Sequence, residues 1–233
     1  RIASWLVTLI ALAPHAAHAQ VCATDCDLVI ESTTRTIDAS MVHPGDVICL
    51  RGGVRGALTV RDIAGTEAMP ITLQPCDGTV TLEGTTGDVL ALNDVRHLRV
   101  AGAGGEAPRL RLGDDHDERH RRVDGGAMAS IGIHANGCTE HVELDHLEVF
   151  NTTYTALRVH AENASCPVRE GFFVHDVHFH DVGGEGLFIG ISSATTPHRI
   201  EGVRIEDSLM GFAPVAHGLL KATCFSAMPP QRA

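Results

Sequence analysis

Apolar and polar residues alternate from Val142 onward, and the whole pattern returns in register thirty residues later at Phe172. The superposed apolar pairs are Val142 with Phe172, Leu144 with Val174, Leu147 with Val177, Val149 with Phe179, Leu157 with Leu187 and Val159 with Ile189. A polar turn position repeats in kind where Asn151 falls over Asp181. A third copy runs from Val203 and Ile205 to Met210, with Asp207 over Asp176. Upstream, Leu90-Ala91-Leu92 and Ile131-Gly132-Ile133 both match Leu157-Arg158-Val159, and Leu98-Arg99-Val100 matches the opening of the unit. Short runs of period-two alternation separated by Gly, Asn and Asp predict strands. Their repetition in register predicts stacked coils, because a lone coil has nothing against which to bury its apolar side. The expected fold is all-β, a single-stranded right-handed parallel β-helix. A β-sandwich also has many short strands, but that architecture does not require successive segments to repeat in register.

Little helix is expected. The segment Ile37 to Val42, stopped by Pro44-Gly45, is the best candidate for a short helical turn capping the first coil. Past Phe212 the coil pattern disappears, and the ending Met228-Pro229-Pro230-Gln231-Arg232-Ala233 offers neither strand nor cap. We therefore expect C-terminal coils to be missing through truncation or a frame shift, a natural disordered tail being the alternative. The chain opens on Arg1, which reads as a start inside a longer frame. Residues Ile2 to Ala13 are almost all apolar, and Ala17-His18-Ala19 has the small-x-small form that a signal peptidase reads, predicting cleavage before Gln20. The run is short against the about 20 residues of a membrane span. Cys22 also lacks the leucine-containing context of a lipoprotein signal. The expected organisation is a signal peptide over 1–19, one β-helix domain over 20–212 and an irregular tail over 213–233. The mature protein is expected to be a monomer in the bacterial periplasm or outside the cell, with no membrane partner.

A formal charge of -11, with Lys221 as the only lysine, argues against nucleic acid, whose phosphates reward clustered Lys and Arg. An acidic polymer would likewise need local basic residues to overcome the overall repulsion. Seven cysteines in an exported chain predict disulfides. Nearest-neighbour pairing joins Cys22 to Cys26, Cys49 to Cys76 and Cys138 to Cys166 and leaves Cys224 over, although spacing alone does not determine connectivity. The competing zinc reading lacks a C-x-x-C pair.

The residues also resemble a known family. Pro44-Gly45-Asp46-Val47-Ile48, Arg51-Gly52-Gly53, Gly65-Thr66, Pro70-Ile71-Thr72-Leu73 and Val80-Thr81-Leu82-Glu83-Gly84 are similar to the opening coils of bacterial pectin-lyase-like β-helix proteins, including the chondroitinase-B and alginate-lyase group. The run from Gly183 to Gly190 is similar to a later coil of related repeat proteins. The resemblance spans about Asp38 to about Leu209 and implies a fold, not a substrate. Lyases of that group use a lysine and an arginine to move a proton beside an acidic sugar. Here the only lysine, Lys221, lies in the irregular tail, which makes it a poor candidate.

With the repeating apolar residues facing inward, their neighbours form outward columns that climb about 4.8 Å per coil. One column reads Asp145, His175, Glu206, with Glu148 under His178 and His180 next along the strand. A second reads Asn93, His134, His160, Gly190, flanked by Gly132, Arg158 and Phe188. An imidazole between carboxylates can serve as a general acid or base near neutral pH, and Arg158 could hold a sugar carboxylate. Glu185 sits in a glycine-rich turn where a ligand could approach the backbone. Against each stands the plainer reading of a solvated face, or for Glu185 of a turn residue bonding backbone amides. The mixed-charge run from Asp114 to Arg122 reads as a solvated loop; its carboxylates could bind Ca2+, although no spaced ligand loop is present.

Two function classes follow. The first is a carbohydrate-active protein working on a polysaccharide along its outer face. A hydrolase would set Asp145 and Glu206, two coils apart, near the upper end of the about 5–9.5 Å carboxylate window. A lyase would pair His175 as base with Arg158 or another arginine. The second class is a non-catalytic β-helix that binds glycans or serves adhesion at the cell surface.

Overall fold

The structure, a computed structural model, describes residues 25–84, 86–102, 109–113, 130–160, 165–190 and 199–211. All strand pairs among them are parallel, and none of these residues is helical. The strands stack into a parallel β-helix with three faces.

The first face carries β1 (Leu28–Ile30), the leading parts of β3 (Val47–Gly56) and β5 (Ile71–Glu83), then β7 (Arg96–Ala101), β10 (Glu140–Asp145), β13 (Val168–His175) and β16 (Arg199–Glu206). The second carries the trailing parts of β3 and β5, then β8 (Leu110–Leu112), β11 (Leu147–Phe150), β14 (His178–His180) and β17 (Leu209–Gly211). The third is a separate six-stranded sheet of β2 (Thr36–Asp38), β4 (Leu58–Arg61), β6 (Asp88–Asn93), β9 (Ile131–Asn136), β12 (Thr155–His160) and β15 (Glu185–Gly190).

The repeat read from the sequence is the register of the first two faces. Val142 pairs with Phe172 and Leu144 with Val174, these pair on to Val203 and Ile205, and Val149 aligns with Phe179. Their side chains interleave into one core in which Val142, Leu144, Val149, Phe172, Val174 and Phe179 are at most 2% exposed. Corners between faces are made by residues with positive φ: His146, Asp176 and Asp207 between the first and second faces, Asn151 and Asp181 after the second. These are residue types whose short polar or ring side chains tolerate the left-handed region. In β3 the corner is glycine, because a Cβ on Gly52 would lie 2.5 Å from the Asp77 carbonyl of the coil stacked on it.

Three expectations are corrected. No helix forms at Ile37 to Val42: Thr36–Asp38 is strand β2, Ile37 is fully buried, and Asp38 accepts from the Ser40 amide and hydroxyl at 3.0 and 2.6 Å, closing a turn that competes with helix. Cys26 pairs with Cys49, not with Cys22, and Cys76 lies buried beside that bridge; the expected Cys138–Cys166 pair is present. On the third face Leu157 pairs with Ile133 and Ile133 with Leu90, so the match of Ile131 to Leu157 was two residues out of register. A two-residue slip keeps the same side chains inward, and the pattern cannot detect it. The expected signal segment, the charged run, the residues from Phe212 onward and Lys221 lie outside the described residues. No helix among the described residues is long and apolar enough to cross a membrane.

Candidate functional site

On the first face the outward column exists as expected: Ala101, Asp145, His175 and Glu206 lie on successive strands in register. The column beside it, two residues earlier, is Arg99, Glu143, Phe173 and Arg204. These two columns converge on His175. Its Nε2 lies 3.2 Å from Glu143 Oε1 and its Nδ1 lies 2.9 Å from Asp176 Oδ2 and 3.5 Å from Asp145 Oδ1. The ring stacks on Phe173 with centroids 4.4 Å apart, and Arg204 also lies over Phe173 at 4.8 Å. Asp145 is in close contact with His146 Nδ1 through one oxygen and with Arg99 through the other, and Arg99 Nε also reaches Glu143 at 3.0 Å.

Asp145, expected as part of a solvated face, is buried, with only 3% of its surface exposed, because His146, His175 and Arg99 close over it. Burial alone would raise its carboxyl pKa, but the hydrogen bonds from His146 and Arg99 outweigh this and keep it lowered. For His175 burial pushes the other way, and hydrogen bonds to Asp176 and Glu143, with the Asp145 charge, leave its proton affinity raised. Glu206 is exposed and is bonded by Arg204 at 2.6 Å, so the top of the column does not join the cluster.

The sequence reading missed Arg99, Glu143, His146 and Asp176. The signal for Glu143 was its place two residues before Asp145 on the same outward side of one strand. His146 and Asp176 occupy the repeated corner and looked like turn residues only.

On the second face Glu148 does align with His178, but its carboxylate bonds His180 Nε2 at 2.9 Å and Arg111 Nε at 2.5 Å. Arg111 stacks over Phe150 at 4.6 Å, and Phe150 stacks on His180. On the third face Arg158, not His160, aligns with His134, and Phe188 follows Arg158. His134 Nδ1 lies 2.9 Å from Asp88 Oδ2, while its Nε2 is buried without a hydrogen-bond partner among the described residues. Arg158 lies over Phe188 at 5.3 Å. The expected pairing of His175 with Arg158 does not form, since the two stand on different faces; Arg99 is the arginine of the His175 cluster. Glu185 opens β15 opposite Thr155 on the third face, its amide donating to the Tyr154 carbonyl and its Oε2 buried without a hydrogen-bond partner among the described residues, away from the His175 cluster.

Next to the cluster lies a shallow concavity of ≈ 190 Å³ lined by Glu67, Pro70, His97, Leu98, Arg99, His141 and Glu143. The His97 and His141 rings on its wall stack face to face at 4.5 Å. Arg99 and Glu143 are shared by this hollow and the cluster.

No protein-family model matches the chain, and no curated protein matches it. Among solved structures it is similar to the alginate lyase from Paenibacillus sp. str. FPU-7, with 19% identity and a TM-score of 0.48 over 77% of this chain. The chain spans 58% of the length of that protein.

Proposed function

We propose that the protein is an exported, carbohydrate-active β-helix that engages a polysaccharide along its first face and acts on it, as lyase or hydrolase, through the His175 cluster. The observation that carries this reading is an imidazole fixed at both ring nitrogens by carboxylates, on a rigid strand and beside a hollow. Such an imidazole is already ordered, and exchange of its Glu143 contact for substrate would free Nε2 to pass a proton to or from a glycosidic oxygen or a sugar carbon. The His97–His141 stack adds a flat ring surface of the kind that sugar rings cover. The disulfides Cys26–Cys49 and Cys138–Cys166 fit an oxidising compartment outside the cytoplasm.

The proposed division of labour leaves Asp145 as the ionised group that orients His146, Arg99 and His175, both its oxygens being engaged. A hydrolase using Asp145 with Glu206 would have to release both from arginine. The proton-transferring role is assigned to His175, whose Nε2 would exchange the single Glu143 contact for the sugar while Nδ1 stays on Asp176 and Asp145.

A second reading, glycan binding without turnover, is favoured by the internal pairing of the face: Arg96 with Glu140, Arg99 with Glu143 and Arg204 with Glu206. Incubation of the protein with a panel of neutral and acidic polysaccharides separates the two. Release of reducing ends, with or without unsaturated uronate absorbance, supports catalysis and identifies its type. Retention on immobilised glycan without release supports binding alone, and neither result on any glycan contradicts both.

A further inference from the structure

We infer that Asp145, His146, His175 and Asp176 form a binding site for one divalent transition-metal ion of the zinc class. The inference concerns the site of the proposed reaction but rests on ligand geometry, not on turnover. Each of the four residues offers a ligand-type atom, and these atoms all lie within 4.8 Å of one another. Two imidazole nitrogens and two carboxylate oxygens are a donor set that suits zinc and its neighbours, whereas Ca2+ takes six or more oxygens. Bonds of about 2.0–2.2 Å put the ligand atoms of a tetrahedron roughly 3.4 Å apart. His175 Nδ1 already stands 2.9 Å from Asp176 Oδ2 and 3.5 Å from Asp145 Oδ1. The corner supplies two of the ligands: His146 and Asp176 are the positive-φ residues that turn successive coils, so they sit one above the other beside the column.

Two further observations point to an ion. His175 bonds Glu143 through Nε2 and keeps Nδ1 toward the cluster, the arrangement in which a ligating histidine is oriented by a carboxylate on its far nitrogen. The charges are also unbalanced. Among the described residues, Glu143, Asp145 and Asp176 face Arg99 as the one permanently charged cation in contact with them, and Asp145 is almost completely buried. A divalent ion would supply the missing positive charge at the point where the two Nδ1 atoms and the carboxylates meet. An ion held there would also occupy His175 Nδ1, so metal loading and proton transfer by that nitrogen exclude each other.

Untagged protein, stripped with chelator, is titrated with zinc by calorimetry and its bound metal counted by mass spectrometry. The expected result is one zinc per chain lost in His146→Ala and in His175→Ala, and retained in His180→Ala, which alters the similar histidine–carboxylate pair of the second face. Glu143→Gln is expected to weaken the zinc by about 10–100-fold while leaving the stoichiometry intact. Cobalt is expected to bind at the same stoichiometry and to give the visible spectrum of a low-coordinate site, while Ca2+ does not compete. The inference is overturned if the stripped protein takes up no zinc, or if its zinc stoichiometry is the same in folded His146→Ala as in the parent. His146 is partly exposed at the corner, so this variant is the one expected to fold. Turnover of a polysaccharide by the metal-free protein, with no zinc uptake, would sink the metal site and leave the proposed reaction standing. Zinc uptake lost in both variants, with no glycan bound or cleaved, would do the reverse.

Discussion

Single residues at the corners decide whether the chain can turn from one face to the next. Asp62 is an exposed corner residue with φ 56, and the left-handed region it occupies is closed to branched side chains. Asp62→Val is expected to cost about 1–2 kcal/mol in chemical denaturation, and Asp62→Asn to change little. Glu148 shows how a partly buried charge is held. Burial by itself raises its carboxyl pKa, but hydrogen bonds from Arg111 and His180 outweigh that and lower it. A carboxyl whose folded pKa is depressed contributes stability that is present above its unfolded pKa and lost as pH falls through the folded value. Glu148→Gln is therefore expected to destabilise the protein by about 1–3 kcal/mol near neutral pH. That gap should narrow as pH falls from the ordinary glutamate range through the lowered folded value, measured by denaturant titration at each pH. A gap that stays constant down to the acid end would show that the Glu148 charge contributes nothing.

At the scale of strands, the outcome turns on register. Val174 is 1% exposed and stacks between Leu144 and Ile205, so Val174→Asp places an unpaired charge in the core. The variant is expected to yield no folded protein, and Val174→Ala to lose about 2 kcal/mol in denaturant titration. A folded, soluble Val174→Asp would contradict the register. The first and second faces were legible from Val142 onward because two successive coils repeat there at the same length, so inward apolar residues and corner Asp and Asn residues coincide. On the third face the match of Leu90 to Leu157 was in register and only β9 was misplaced, because the link from β9 to β10 is shorter than that from β12 to β13 and the coil length is therefore not constant. The true register of β9 is the one in which Gly132 meets the Ala156 carbonyl, a place where a Cβ would come to 2.6 Å. The Cys26–Cys49 bridge escaped notice because pairing by shortest separation gave Cys26 to Cys22, whereas the bridge joins two stacked coils across 23 positions.

For the molecule as a whole, the stacking of coils converts residues far apart in sequence into one outward surface. Arg99 reaches Asp145 across 46 positions; the match of Leu98-Arg99-Val100 to the opening of the unit already set it under Glu143, but its diagonal reach to Asp145 is a side-chain contact that register does not reveal. The column of Asp145 and His175 was legible because it lies inside the regular repeat, while the arginine and the corner ligands that complete the cluster looked like a solvated face and turns. The central claim is that this cluster, and not the chemically similar one at His180, does the work on a glycan. The most direct measurement compares the initial rates of His175→Ala and His180→Ala with the parent on the polysaccharide that the panel identifies. The account predicts a loss of about a hundredfold or more for His175→Ala, measured on protein shown to be folded at the assay temperature, and a near-parental rate for His180→Ala. A parental rate in His175→Ala, or an equal loss in both variants, would contradict it.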